Sequence, residues 1–219
     1  MVGREAIPVE VRPGLNGART EERPLTSSAN SNAPMTDEQI KAATVGERHA
    51  INSTISLVPY DPDWPSQFAH LEARVRRALG DKMLLLEHVG STSVPGLSAK
   101  PIIDMVLAVA DSRDEASYVS LVEERGFVLR IREPDWNEHR MLKSKDPAGN
   151  LHVFSEGCQE IQLMLFFRDW LRGHAEDRQL YEETKRELAG RTWKYTQNYA
   201  DAKGDVIRGI LAKVGRNQT

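Results

Sequence analysis

The run His88-Val89-Gly90-Ser91-Thr92-Ser93-Val94-Pro95-Gly96-Leu97-Ser98-Ala99-Lys100-Pro101-Ile102-Ile103-Asp104 limits the possible folds more than any other segment. It sets a Gly-Ser turn, a lysine and one aspartate between two apolar stretches, Met83 to Val89 and Pro101 to Ala110. Both stretches are short and rich in branched residues, so they read as buried strands. Asp104 is the only charge in the second. An unpaired buried carboxylate is costly, so Asp104 must pair with a cation, bind a metal or emerge at a strand end. Lys100 is its nearest cation in sequence. A glycine at position 90 permits close backbone approach or positive φ. The amides that follow, with the hydroxyls of Ser91, Thr92 and Ser93, form a candidate phosphate nest. His88 precedes the turn; taken alone, such a residue is more often a hydrogen-bonded structural histidine than a catalyst.

The rest of the chain alternates helix and strand signals. Residues 1 to about 35 are rich in Pro, Gly, Ser and Asn without a sustained apolar period, and are expected to be a disordered tail. Thr36-Asp37-Glu38-Gln39 resembles a capping box, opening a short helix or linker over 36 to 56. Asp63 is the expected N-cap of the next helix, with Pro65 tolerated in its first turn. Trp64, Phe68, Leu71, Val75 and Leu79 recur at helical spacing until Gly80. Ser112 to Arg125 reads as one helix stopped by Gly126. Phe127 to Ile131, Arg140 to Ser144 and Leu151 to Ser155 read as strands, the last two joined in a hairpin by Pro147 and Gly149. The C-terminal third reads as three helices: Ile161 to Arg172, Ala175 to Leu188, and Tyr195 to Val214. This order predicts an α/β (α+β) domain over 57 to 214, with a mixed sheet flanked by helices and a short tail at 215 to 219.

Bulk properties narrow the function classes. The chain has 219 residues, 40% hydrophobic and 28% charged, enough to bury one sizeable core. Its net charge of -3 lacks the basic excess of a dedicated nucleic-acid binder, so nucleic acid is not an expected partner. The single cysteine, Cys158, suits a reducing compartment and reads as a small near-core or surface residue. No apolar run approaches the ~20 residues that span a bilayer. A cytoplasmic protein without a membrane partner is the expectation.

Further basic and aromatic residues recur four apart on the C-terminal helices: Arg168 and Arg172, Tyr181 and Lys185, Tyr199 and Lys203. Each pair shares a helical face. Spacing alone favours solvated faces, and an anion-binding wall is the alternative. His152 alternates with Leu151 and Val153, which puts it on the opposite face of its strand.

Together these residues resemble the GrpB family, a group found alone or fused to dephospho-CoA kinase. The resemblance rests on His88 to Leu97 followed by Lys100-Pro101 and Asp104. Tyr60-Asp61-Pro62-Asp63-Trp64, Leu151-His152-Val153, Phe167-Arg168-Asp169-Trp170-Leu171-Arg172 and the spaced Tyr199, Ala202 and Lys203 extend it. It covers about Leu57 to Val214.

The resemblance implies a nucleotidyltransferase-like fold, in which a Gly-Ser turn holds nucleotide phosphates. In that fold, paired carboxylates on the next strand bind divalent metal. Gly90-Ser91 and Asp104 fit the first parts, so Mg2+ at Asp104 is the implied cofactor. The chain departs from the pattern at Val106, where a hydrocarbon replaces the second carboxylate. Neither His152 nor Glu156 is a convincing third ligand. One aspartate leaves a weak site for a hard cation.

The implied catalytic set is Asp104, Lys100 and His88. The implied ligand-binding set is Gly90, Ser91, Thr92, Ser93, His152, Arg168, Arg172, Lys185, Tyr199 and Lys203. The implied ligand is a phosphate-bearing small molecule or nucleotide, with nucleotidyl or phosphoryl transfer as the implied chemistry. A non-catalytic nucleotide- or anion-binding regulatory module is one alternative. An aminoacyl-tRNA-dependent cyclodipeptide synthase is another, which keeps tRNA open as a partner.

Overall fold

The computed structural model describes residues 33–47 and 50–216. The tail expected over residues 1 to 35 lies almost wholly outside the described residues. Thr36 opens α1 (Asp37–Ala43) with the expected capping box: its hydroxyl accepts from Gln39 N–H at 3.3 Å, and the Gln39 side chain accepts from Thr36 N–H at 2.8 Å. Residues 51 to 58 then run without helix, bridging Ser53 to Trp193 and Val58 to Ala99.

In α2 (Trp64–Leu79), Trp64, Leu71, Val75 and Leu79 form the buried stripe. Its entry differs from the expectation. Asp63 makes no side-chain capping bond, and Asp61 Oδ1 instead accepts from Asp63 N–H at 2.9 Å. The short aspartate side chain closes a local turn ahead of the helix.

Five strands follow: β1 (Leu85–Val89), β2 (Ile103–Val109), β3 (Phe127–Glu133), β4 (His139–Lys145) and β5 (Ala148–Ser155). They form one sheet in the order β1-β2-β5-β4-β3. β2 and β5 pair in parallel and every other neighbouring pair is antiparallel. The mixed sheet and its flanking helices make this an α/β fold. The single helix expected over Ser112 to Arg125 is instead a 3-10 turn (Glu115–Ser117) and α3 (Val119–Glu123). Local bonds compete with the helix there. Asp111 Oδ1 takes Arg113 N–H, and the buried Tyr118 hydroxyl donates to Ser112 O at 2.8 Å.

The two sheet faces differ. One packs Ile103, Met105, Leu107, Leu151 and Val153 against α2 and α3 as the main core. The other carries Asp104, Val106 and Ala108 of β2 beside their partners Asn150, His152 and Phe154 of β5. Ile161 of α4 (Gln159–Gly173) covers the half formed by Val106, Ala108 and Phe154. Cys158 packs against the same cluster, as a near-core residue should. The half with Asp104, Asn150 and His152 stays polar.

α5 (Ala175–Ala189), α6 (Thr196–Ala202) and α7 (Gly204–Arg216) complete the fold. The sequence pattern suggested one helix from Tyr195 to Val214. The structure breaks it at Lys203, whose N–H closes a tight turn onto Ala200 O, ahead of the poor helix former Gly204. The break lets Tyr199 and Ile210 serve different clusters. α7 ends at Arg216, inside the expected short tail.

Val94 and Leu97, from the loop between β1 and β2, are buried against Leu171, Tyr181 and Ile210. Each such apolar side chain contributes about 1.5–3 kcal/mol. The loop is therefore clamped between the sheet and the C-terminal helices.

Candidate functional site

The backbone passes directly over Asp104. Gly90 has φ 68° and ψ -170°, and a Cβ there would lie 2.7 Å from Asp104 Oδ2. Ser91–Ser93 form a 3-10 turn, with Ser93 N–H bonded to Gly90 O and Val94 N–H to Ser91 O, both at 3.3 Å. The first N–H groups of such a turn have no partner inside it. Of the three hydroxyls expected to line a nest, two turn inward. Ser93 Oγ donates to Gly90 O at 2.6 Å, and Thr92 Oγ1 lies 3.0 Å from His88 Nε2 and 3.3 Å from Ile102 O. Only the Ser91 hydroxyl meets a cation, the Lys185 ammonium at 3.1 Å.

Asp104 emerges at the start of β2 with its side chain one-third exposed (33%). Asn150 Nδ2 donates to its Oδ1 at 2.7 Å, and His152 Nε2 faces the same oxygen at 3.9 Å. Burial favours the neutral acid. The facing His152 ring, in its doubly protonated form, together with the Asn150 amide and the Lys100 charge, outweighs it and holds the carboxyl below its ordinary value. The sequence pointed to Lys100 as an ion-pair partner. The structure corrects this: Lys100 acts at longer range, with its ammonium 5.8 Å from the Tyr199 ring centroid.

His88 also departs from its expected catalytic place. It pairs with Met105, on the sheet face opposite Asp104, and its ring stacks on Phe68 at 4.9 Å. Burial pushes its pKa down to about 4, so it is neutral at pH 7. That is the geometry of a hydrogen-bonded structural histidine.

The Tyr181/Lys185 and Tyr199/Lys203 pairs and Arg168 turn inward rather than onto solvated faces, whereas Arg172 stays exposed and reaches the loop with its guanidinium. Arg168 donates to Glu87 at 2.8 Å and to His88 O at 3.0 Å, and Arg172 grips Ser93 O through two nitrogens at 3.1 and 2.8 Å. Both arginines also pair with Asp169. Their charges are engaged, so they brace the loop from α4. Lys185 is only 1% exposed, bonded to Ser98 O and Ser91 Oγ, with its ammonium 5.0 Å from the Tyr181 ring. Lys203 lies 4.7 Å from the Tyr199 ring centroid. Burial depresses all three lysines: Lys185 to about 7, Lys100 to about 8, and Lys203 below its ordinary value. The Lys203 charge lowers the other two further. Tyr199 is buried with Lys100 and Lys203 near its ring, and its hydroxyl has no hydrogen-bond partner among the described residues.

The donors do not fit a resident Mg2+. Among the described residues, no group of three or more His, Cys, Asp or Glu side chains is placed to hold a metal ion. Val106 is fully buried under α4. Glu156 follows the far end of β5, six residues from Asn150 and thus about 20 Å along the strand. No described helix is long and apolar enough to cross a membrane.

Comparison with known proteins places this geometry in a family. A family model described as GrpB protein matches residues 54–213. The chain belongs to the GrpB family. A UPF0157 protein of Halalkalibacterium halodurans is 52% identical over 190 residues, covering 87% of this chain and 97% of that protein. The crystal structure of GrpB from Enterococcus faecalis superposes with a TM-score of 0.63 at 27% identity, covering 73% of this chain and 99% of that one. A dephospho-CoA kinase of Mycobacterium tuberculosis is 30% identical over 199 residues, which are 78% of this chain and 46% of that enzyme. The GrpB-like stretch is therefore one part of the kinase chain, as the resemblance implied.

Sequence reading missed three residues: Asn150, which bonds Asp104, and His139 and Glu133, which line up behind His152. The hairpin turn held a signal for His139. Counting back from the turn pairs Met141 with His152, which sets His139 two residues along on the same face. The parallel register that brings Asn150 to Asp104 leaves no such trace.

Proposed function

We propose that this GrpB-family protein binds a phosphate-bearing small molecule, such as a nucleotide, in the cradle formed by Gly90, Ser91, Asp104, Lys100, Lys185 and Lys203. One observation carries the reading. Three depressed lysines are linked through the Lys203 charge, two of them lie near the ring of Tyr199, whose buried hydroxyl is orphaned among the described residues, and the Asp104 carboxylate acts on the same two. Holding unpaired cations out of water costs several kcal/mol each. An incoming phosphate offsets that cost and offers an acceptor to Tyr199. Perturbed titratable groups cluster at functional sites for this reason.

The strand, Gly-Ser turn and aspartate-bearing strand support a nucleotidyltransferase-like core. Nucleotidyl or phosphoryl transfer is a second reading, and Asp104 beside the turn supports it. The buried Val106 favours a non-catalytic regulatory module instead. Both readings share the phosphate cradle.

Titration calorimetry with ATP, with and without Mg2+, tests the cradle. Saturable binding in the absence of Mg2+ is expected. Asp104→Asn removes a negative charge beside the phosphates while keeping an acceptor for Asn150. Its Mg2+-free affinity is expected to rise several-fold. A tenfold loss would contradict the placement of the phosphates over Asp104. If the site catalyses transfer, the same variant abolishes turnover.

A further inference from the structure

Four polar side chains form a chain across the sheet face beside the cradle. Glu133 Oε2 lies 2.7 Å from His139 Nδ1, and His139 Nε2 lies 3.0 Å from His152 Nδ1. His152 Nε2 then faces Asp104 Oδ1 at 3.9 Å. His139 is 3% exposed, stacked on Phe154 at 4.8 Å and touched edge-on by Trp136 at 5.1 Å. Glu133 ends β3, and the turn Trp136–Glu138 returns the chain so that His139 pairs with it.

The order of hydrogens along this chain follows from chemistry. Burial, opposed by the Glu133 bond, leaves His139 with a pKa of about 4, so it is neutral at pH 7. A neutral imidazole carries one N–H, and an ionised glutamate only accepts. The hydrogen of His139 therefore sits on Nδ1, toward Glu133. Its Nε2 is then an acceptor, and the hydrogen facing it sits on His152 Nδ1. His152 Nε2 keeps its lone pair. At 3.9 Å from Asp104 it is too far for a hydrogen bond.

We propose that Glu133 and His139 are positioning residues that fix His152 as its Nδ1–H tautomer, making Nε2 a proton acceptor at the mouth of the phosphate cradle. The chemistry fits a phosphate ester or anhydride attacked by a hydroxyl, and that part rests on the phosphate reading above. The hydroxyl gives its proton to Nε2 as its oxygen bonds to phosphorus. The bond from phosphorus to the leaving oxygen breaks, and the imidazolium returns the proton to that oxygen. Between these events Asp104 stabilises the imidazolium on one side and His139 Nε2 on the other. The logic is that of any base oriented by a third group.

Long-range 1H–15N spectra of the 15N-labelled full chain at pH 7, without ligand, report which ring nitrogen carries hydrogen. The His152 signals are assigned by their loss in His152→Gln. The wild type is expected to show His152 with hydrogen on Nδ1. Glu133→Gln retains a carbonyl acceptor for His139 and should preserve that tautomer. Glu133→Ala frees His139 to place its hydrogen on Nε2, so His152 should switch to Nε2–H and donate toward Asp104. If Glu133→Ala does not fold, His139→Phe removes the acceptor and carries the same expectation. Hydrogen on Nε2 in the wild type, or an unchanged tautomer in the folded variant, overturns the proposal. Because no ligand is added, the outcome is independent of whether ATP binds.

Discussion

Affinity for ATP or pyrophosphate is expected to fall about tenfold between pH 7 and pH 9, as charges required for binding are lost. Lys185 and Lys100 have pKa values of about 7 and about 8 in the ligand-free protein. Above those values the cradle loses positive charge, while the phosphates are already ionised. A bound phosphate favours the charged amines, so binding takes up protons in this window. Calorimetry in buffers of different ionisation enthalpy measures that uptake directly.

Stability should move the other way. In the unfolded chain these lysines titrate near their ordinary value of 10.5. Between pH 7 and that value the unfolded state binds more protons than the folded one, so stability rises with pH there. The cost is fully present below pH 7 and is relieved as pH climbs. Falling affinity alongside rising stability distinguishes a functional lysine cluster from general alkaline damage. An affinity that stays flat from pH 7 to pH 9 would count against the cluster as the anion site.

Gly90→Ala is expected to cost about 3 kcal/mol, the sum of a backbone penalty and a steric one. With φ 68° and ψ -170°, Gly90 occupies a region of backbone space open essentially to glycine alone. The added methyl would sit 2.7 Å from Asp104 Oδ2 and 3.0 Å from its Cβ. Asp104 cannot swing aside freely, because Asn150 holds its other oxygen. For a domain of this size the loss lowers the Tm by about 6–12 °C. Gly96 supplies the control. It also has positive φ, 80°, but nothing lies within 4 Å of its added Cβ. Gly96→Ala should therefore pay the backbone penalty alone. Equal losses in the two variants would show that the Asp104 contact contributes nothing.

Much of this arrangement can be read from local sequence patterns. The stripe of α2 and the strands β1 to β5 follow from apolar periodicity. The hairpin turn at Asp146–Pro147 follows from proline. The Gly-Ser turn and Asp104 stand out because a lone charge interrupts an apolar run. What could not be read depends on contacts between distant segments. Helical spacing shows that Arg168 and Arg172 share a face, but not that the face meets Ser93 O and Glu87. The resemblance implied a catalytic His88 beside the turn, yet strand alternation turns it to the other side of the sheet. The pairing of Asp104 with Asn150 depends on the parallel register of two strands separated by two others in sequence. The helix break at Lys203 competes against a continuous apolar stripe, and tertiary packing decides it.

Lys185→Met offers the most direct test of the phosphate cradle. Methionine fills much of the volume of a side chain that is 1% exposed, and it removes a buried charge. Calorimetric titration with ATP at pH 7 and without Mg2+ should show saturable binding to the wild type. The variant should keep its Tm within a few degrees and lose at least tenfold in affinity. Undiminished affinity in the folded variant, or no binding by the wild type to either ATP or pyrophosphate, would contradict the account.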